Sequence, residues 1–170
     1  KNAPITYFLE NKEYYELRAN AFSYKDDHLR FLLLSRGCLE WLSLEQQQKD
    51  GWKPDIIHSH DWHTGYLADE IRRNSRYSTT FSKTPVLHTI HNLKYQGNTG
   101  FKHKLPKKQD KGTTPLNTDK EYKLVNQNPL LRGMLYSDWV NTVSKSHSLE
   151  IMTHEYGEGL EKIITKIKKM

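Results

Sequence analysis

Short apolar runs alternate with stretches of helical spacing along most of the chain. Mainly apolar runs, which predict strands, lie at residues 5–9, 55–58, 85–90 and 139–143. After the first run, Asp26 and Asp27 stand where acidic residues favour the start of a helix. Apolar residues then recur every three or four positions, at Phe31, Leu34, Cys38, Trp41 and Leu42. This spacing predicts an amphipathic helix that ends near residues 46–48.

Further helices are predicted between and after the later strands. They cover residues 61–73 and 129–136, a stretch from Ser144 to about residue 156, and a last segment after Gly159. Strands that alternate with helices at this spacing indicate βαβ units. The pattern therefore predicts an α/β fold, with a mainly parallel sheet and helices on both faces.

One long stretch, from about residue 98 to 127, shows little periodicity and is rich in Gly, Pro, Lys, Thr and Asn. A long stretch without hydrophobic periodicity is typical of a surface loop, so we expect a mobile loop there. The loop includes a cluster of lysines between Lys102 and Lys111. Without interleaved aromatic residues, this cluster indicates a solvated surface rather than a nucleic-acid site.

Composition favours one globular domain. The 170 residues are 35% hydrophobic and 27% charged, with a formal net charge of +6. The single cysteine, Cys38, has no internal disulfide partner, which favours a reducing, cytoplasm-like compartment. No apolar run approaches the ~20 residues that would span a bilayer. The chain starts at Lys1 and almost directly enters an apolar run, so we expect a piece of a longer protein.

Polar, chemically capable residues follow the predicted strands, and ligands of parallel sheets bind beyond the carboxyl ends of the strands. The densest cluster is HSHDWH at residues 58–63. Three imidazoles and a carboxylate suggest a zinc site and a zinc-dependent hydrolase. However, the order is His-x-His-Asp-x-His, whereas binuclear zinc hydrolases place the Asp directly before the last His. We therefore expect no metal there.

Two other interpretations of this cluster remain open. His58 and His60 could be strand-end residues satisfied by hydrogen bonds, with Asp61 as a simple helix cap. Alternatively, the helix start at residues 61–65 offers free N–H groups to the hydroxyls or phosphates of a sugar nucleotide.

Five collinear segments resemble the starch and glycogen synthases, which are glycosyltransferases built from two Rossmann-like domains, the GT-B fold. The two strongest matches are PDIIHSHDWHTG at 54–65 and HTIHNLKYQG at 88–97. The other three are YKDDHLRF at 24–31, YSDWVNTVS at 136–144 and EYGEGLE at 155–161. The resemblance implies that residues 1–170 are part of the N-terminal Rossmann-like domain, with the second GT-B domain absent.

The resemblance also implies an activity and a site. A parent enzyme would transfer glucose from ADP-glucose, or UDP-glucose, to the non-reducing end of an α-1,4-glucan with retention, as in glycogen biosynthesis. It implies no cofactor, no nucleic-acid or membrane partner, and a cytoplasmic location, or a plastid in a plant. The residues that it assigns to the donor sugar are Asp26, His63 and Asn128. Those that it assigns to the lining of the cleft are His60, Asp61, His91, Asn92, Tyr95 and Gln96.

Two departures from the family pattern limit this expectation. Leu131-Arg132-Gly133 replaces a lysine-containing segment, and the family's glycine-rich phosphate loop has no counterpart in these residues. With the second domain and its catalytic groups also missing, we expect no complete catalytic set in the chain. A non-catalytic glucan-binding module is the alternative. The sequence does not distinguish ADP-glucose from UDP-glucose.

Overall fold

A three-stranded parallel sheet lies at the centre of the fold, with the strands in the order β1 (Ile57–His60), β2 (Val86–Ile90) and β3 (Trp139–Thr142). Its register pairs Ser59 with His88 and Thr89 with Asn141. The computed structural model describes residues 3–48, 51–97, 103–116 and 124–167. The expected α/β fold with a parallel sheet is therefore confirmed.

Helices connect the strands because parallel neighbours require crossover segments. Before β1 comes α1 (Asp27–Gln46); α2 (Tyr66–Arg73) and α3 (Ser75–Phe81) lie between β1 and β2; α4 (Pro129–Tyr136) precedes β3. After β3 follow α5 (Lys145–Glu150) and α6 (Glu161–Ile167). Side chains cap the N-termini of α3, α4 and α5, where Asn74, Asn128 and Ser144 accept backbone N–H bonds. None of the described helices is both long and apolar enough to cross a membrane.

The apolar core lies against one face of the sheet. Ile57 and Val86 pack with residues of α1, α2 and α3, including Leu39, Ile71 and Phe81. On the same face, Ile90 packs with residues of α4 and with Phe31 and Ile151. Residues that point to the other face, such as His58, Asn141 and Trp139, are exposed. Helices were expected on both faces, and the described ones that form these clusters cover one.

Several element predictions differ from the structure. Residues 5–9 are not a strand: the described sheet pairs only β1, β2 and β3, and Ile5 and Phe8 are 79% and 84% exposed. A β-strand forms only where a neighbouring strand can hydrogen-bond to its backbone, and an apolar run does not show whether such a neighbour exists. The helix after Ser144 ends at Glu150 and gives way to turns. The short helix α3 was not predicted.

A buried arginine fastens the segment between β2 and β3 to the core. Arg132 of α4 is fully buried and forms ion pairs with Asp69 of α2 at 2.6 Å and Asp110 at 2.8 Å. It also donates to the Thr114 carbonyl at 2.9 Å. Asp69 is shared with Arg73. Part of the predicted mobile loop, around residues 110–114, is therefore tied down; residues 98–102 and 117–123 of that loop lie outside the described residues.

The family pattern has a lysine one position before Arg132, where this chain has Leu131. The role of Arg132 here is structural. Its guanidinium binds both oxygens of Asp110, through Nε at 2.8 Å and Nη2 at 3.0 Å, while Nη1 reaches Asp69. A lysine presents a single ammonium group and would not reproduce this planar arrangement.

Replacing Arg132 with methionine should lower the free energy of unfolding by about 3–5 kcal/mol, because the buried Asp110 carboxylate would lose its ion pair and Asp69 would keep only the pair with Arg73. The matched control is Arg76→Met, which breaks an ion pair between Arg76 and Glu40 whose side chains are 68% and 37% exposed. That change should leave the free energy of unfolding nearly unchanged, because water screens an exposed ion pair. Urea unfolding followed by circular dichroism measures both. Equal losses in the two variants would contradict the structural role of Arg132.

Stability should also depend on pH through His88. Burial lowers the pKa of this fully buried imidazole from 6.5 to about 4. Its Nδ1 lies 2.8 Å from the Ser59 hydroxyl, and its ring lies against Gly133, where an added Cβ would be 2.6 Å from Cε1. Between pH 6.5 and 4 the unfolded chain binds a proton that the folded chain does not, so stability falls as pH falls through this window.

Through His88, the free energy of unfolding should be about 2 kcal/mol lower at pH 5 than at pH 7. In His88→Asn, the loss between pH 7 and pH 5 should shrink by about that amount, although the variant is less stable at both. Urea unfolding of both proteins at the two pH values provides the measurement. An unchanged pH dependence in the variant would show that other groups cause it.

Candidate functional site

A hollow of about 390 Å³ opens beyond the carboxyl ends of β1 and β2. Three segments meet there: the turn before α1, the turn after β1 and the turn after β2. The lining residues are Phe22, Ser23, Tyr24, Asp27, Asp61, Trp62, His63, Asn92, Lys94, Tyr95, Gln96 and Gly97. This is the position at which parallel α/β sheets bind ligands.

Asp61 joins the turns that follow β1 and β2. Its Oδ1 accepts hydrogen bonds from the backbone N–H groups of His91 at 2.7 Å and Asn92 at 3.2 Å. Its own φ is 52°, a left-handed value that is uncommon for a residue other than glycine. Asp61 makes no side-chain cap to the helical turn that follows it, so the helix-cap interpretation is wrong. Its carboxylate holds the two walls of the hollow together.

His63 presents a half-buried imidazole to the hollow. Its ring meets Phe31 edge-on at 4.7 Å and lies 4.2 Å from the ring of Trp62, measured between centroids. Burial lowers the pKa of His63, although the Asp61 and Asp27 carboxylates act in the opposite direction. The ring is therefore neutral near pH 7, and a neutral imidazole can both donate and accept a hydrogen bond.

The two acidic residues at the start of α1 have separate roles. Asp26 forms a bidentate ion pair with Arg18, at 2.7 and 3.3 Å, and is not among the lining residues. Asp27 does line the hollow, and its carboxylate accepts from Arg30 and from the backbone N–H groups of Ser23 and Tyr24. The hollow is thus lined by Asp27 and not by the predicted Asp26.

Asn128 lies behind the wall of the hollow rather than in it. It is 1% exposed; its Oδ1 caps α4 at the N–H of Leu131, and its Nδ2 donates to Gln96 Oε1 at 2.7 Å. Gln96 is a lining residue and also donates to the Glu158 carbonyl. Asn128 can therefore influence a ligand by orienting Gln96.

Two glycines allow the walls to approach each other. A Cβ at Gly65 would lie 2.1 Å from the Pro129 carbonyl oxygen. One at Gly97 would lie 2.3 Å from Pro129 Cγ and 2.6 Å from the Trp62 ring, and the φ of Gly97 is 85°. Both positions consequently require the residue without a side chain.

His60 and His91 lie outside the lining of the hollow. His60 Nδ1 is 3.0 Å from His91 Nε2, and both residues are exposed. Burial, assisted by His58 and His91, lowers the pKa of His60. His58 bonds Thr89 on the open face of the sheet. Within the described ranges, no three His, Cys, Asp or Glu side chains form a group that could hold a metal ion.

The predicted cleft is thus only partly assembled as expected. His63, Asp61, Asn92, Tyr95 and Gln96 line one hollow, whereas Asp26, Asn128, His60 and His91 do not. The predicted convergence of His63, His91 and Asn128 is not seen at this hollow, since His91 pairs with His60 and Asn128 is buried behind Gln96; a joint role in sugar binding stays a prediction.

Lining residues that the sequence reasoning missed include Phe22, Asp27 and Lys94. Asp27 could have been found, because it adjoins the predicted Asp26; Phe22 belongs to no quoted motif. Lys94 stands at the variable position of the segment at residues 88–97.

Two other cavities are lined mainly by apolar side chains. One, of about 300 Å³, lies beside β3 among Val140, Ile151 and Ile164. The other, of about 830 Å³, lies between residues 5–9 and α1, near Trp41 and Trp52. The hollow at β1 and β2 instead combines an imidazole, amides and carboxylates with aromatic rings. These are the groups that hydrogen-bond a small polyhydroxylated ligand.

Known proteins share both the sequence and the fold. Residues 3–166 match the family model of the starch synthase catalytic domain. The chain is 37% identical over 164 residues to a glycogen synthase of Geotalea daltonii, covering 94% of this chain and 32% of that protein. A glycogen synthase of Clostridium kluyveri is 32% identical over 166 residues, with 94% and 32% covered. The chain therefore spans about a third of the length of these curated relatives.

A solved structure agrees with these relatives. The catalytic domain of starch synthase IV from Arabidopsis thaliana, bound to ADP and acarbose, matches with a TM-score of 0.67 and 26% identity. The match covers 89% of this chain and 30% of that one. Sequence and fold together show that the chain belongs to the starch synthase catalytic domain family.

Proposed function

We propose that this chain contributes the acceptor-side and sugar-binding wall of a glucosyltransferase. The enzyme would transfer glucose from a nucleoside diphosphate glucose to the non-reducing end of an α-1,4-glucan, with retention. The observation that carries this proposal is the hollow at the carboxyl ends of β1 and β2, where the side chains of His63 and Asn92 meet in a member of this family. Such groups select hydroxylated ligands, because an analogue without the matching hydroxyl would leave them unpaired.

ADP-glucose is the donor that we favour over UDP-glucose. The starch synthase IV structure contains ADP, and acarbose, its other ligand, is a carbohydrate. In such a transfer the leaving nucleoside diphosphate gains negative charge, which fixed positive groups must stabilise. The hollow described here is lined by two carboxylates, Asp27 and Asp61, and by one cation, Lys94. We therefore assign it to the sugar and the glucan rather than to the diphosphate.

The 170-residue chain by itself should transfer no measurable glucose from labelled ADP-glucose to glycogen. The physical reason is that a developing diphosphate charge needs several fixed cations, whereas the chain spans about a third of the length of its relatives and its hollow offers only Lys94. Incorporation of label into precipitated glycogen is the measurement, and the full-length Geotalea daltonii glycogen synthase serves as the positive control. Incorporation clearly above the no-enzyme blank would contradict the prediction.

The same chain should bind maltohexaose through His63. In His63→Ala we expect affinity to fall about five- to tenfold, because loss of one hydrogen bond in a partly desolvated site costs about 1 kcal/mol or slightly more. His154→Ala, which removes an imidazole that is 98% exposed, should leave affinity unchanged. Isothermal titration calorimetry at pH 7.5 measures both. If His63→Ala bound maltohexaose as tightly as the unchanged chain, the sugar assignment of the hollow would be lost.

A further inference from the structure

Two aromatic side chains stand exposed at the mouth of the hollow. Phe22 and Tyr95 both line it, and they are 54% and 60% exposed. Phe22 lies edge-on to the His63 ring, with 6.1 Å between centroids. Aromatic rings that remain in water beside a set of convergent polar groups are typical of ligand sites.

The segment that carries Phe22 is held in a strained conformation. The next residue, Ser23, has a φ of 84° although it is not glycine. Asp27 Oδ2 accepts the N–H groups of Ser23 at 2.6 Å and Tyr24 at 3.0 Å, while Asp27 Oδ1 accepts from Arg30 at 2.6 Å. Such strain costs on the order of 1–3 kcal/mol and persists only where the surroundings enforce it. The turn therefore presents Phe22 in a fixed position.

Tyr95 is likewise placed by an anchored turn. Its N–H donates to the Asn92 carbonyl at 3.3 Å, and the N–H of Asn92 is held by Asp61. The next residue, Gln96, is buried and bonded to Asn128. Both aromatic residues thus belong to turns that carboxylates hold in place, Asp27 for one and Asp61 for the other.

The chemistry of the hollow favours an uncharged sugar over a nucleotide. A pyranose ring has C–H groups on its faces, whose partial positive charge suits the negative face of an aromatic ring, and hydroxyls around its rim. The rim hydroxyls would meet His63 and Asn92. A nucleoside diphosphate could also stack its base, but its phosphates would meet two carboxylates, Asp61 and the Arg30-paired Asp27, against one lining cation, Lys94.

We propose that Phe22 and Tyr95 are specificity-determining residues that stack on glucose rings of the acceptor glucan at the mouth of the hollow. The proposal rests on the function proposed above and adds to it. The mouth of the hollow is then an acceptor subsite. Its affinity for the glucan comes from the Phe22 and Tyr95 rings in addition to the hydrogen bonds made inside the hollow. Because stacking is insensitive to the ring hydroxyl of tyrosine, an aromatic substitute should serve at either position.

The test is titration of the 170-residue chain with maltohexaose by isothermal titration calorimetry. Phe22→Ala and Tyr95→Ala should each weaken binding about three- to tenfold, as expected for loss of one aromatic contact. The conservative variants Phe22→Tyr and Tyr95→Phe should keep the affinity of the unchanged chain. Matched controls are Phe8→Ala and Tyr156→Ala, which remove rings that are 84% and 53% exposed and do not line the hollow, and which should change nothing.

The outcomes separate this proposal from the one on which it rests. If His63→Ala weakens maltohexaose binding while Phe22→Ala and Tyr95→Ala do not, the stacking proposal is overturned and the sugar site stands. If the alanine variants lose affinity for ADP instead of maltohexaose, the rings contact the base and the acceptor assignment is wrong. A chain that binds no maltohexaose would overturn both proposals. Circular dichroism spectra of each variant confirm that affinity is compared between folded proteins.

Discussion

The buried guanidinium of Arg132 is the interaction on which the arrangement of this protein depends. It joins α2, α4 and the segment near Asp110 in one ion-pair network, in which the guanidinium is fully buried and the two carboxylates are at most 5% exposed. Charges in such a place are tolerated only if each has a partner, so the network specifies how these three parts meet. Its influence extends to the hollow. Asp110 also accepts the N–H of Asn128, and Asn128 in turn orients Gln96 at the wall.

The acidic residues near the hollow serve mainly as acceptors for backbone N–H groups. Asp27 closes the turn before α1, and Asp61 joins the turns after β1 and β2. A carboxylate that accepts several N–H bonds is fixed in position and fixes its donors. Contact with a ligand then falls to the groups that those turns present: the neutral imidazole of His63, the exposed Asn92 side chain and the exposed aromatic rings. Positioning and recognition are carried out by different residues.

The open face of the sheet has its own internal bonding. His58 Nε2 lies 2.7 Å from Thr89 Oγ1, and Thr89 donates to Asn141 Oδ1 across the strands. With the Thr89 hydroxyl donating to Asn141, the lone pairs of its oxygen face His58 Nε2. Parallel sheets are ordinarily covered on both faces by apolar layers. Among the described residues, the face opposite the apolar core carries polar side chains that bond one another, together with the exposed ring of Trp139.

The sequence by itself determined the parts of this protein that depend on neighbours along the chain. The helix at residues 129–136 follows from apolar spacing, a capping residue and Pro129 at the first helical turn. The strands predicted at 55–58 and 85–90 are found at Ile57–His60 and Val86–Ile90. The resemblance identified the family, and its motifs located His63, Asp61 and Asn92 beside one another. Tertiary structure alone decided which polar groups remained for a ligand. Asp26 forms an ion pair with Arg18, Asn128 is buried, and His60 pairs with His91. Phe22, which belongs to none of the motifs, lines the hollow. The physical reason is that the partner of a side chain belongs to whichever distant segment packs against it. Neither the spacing of apolar residues along the chain nor the type of residue predicts that contact.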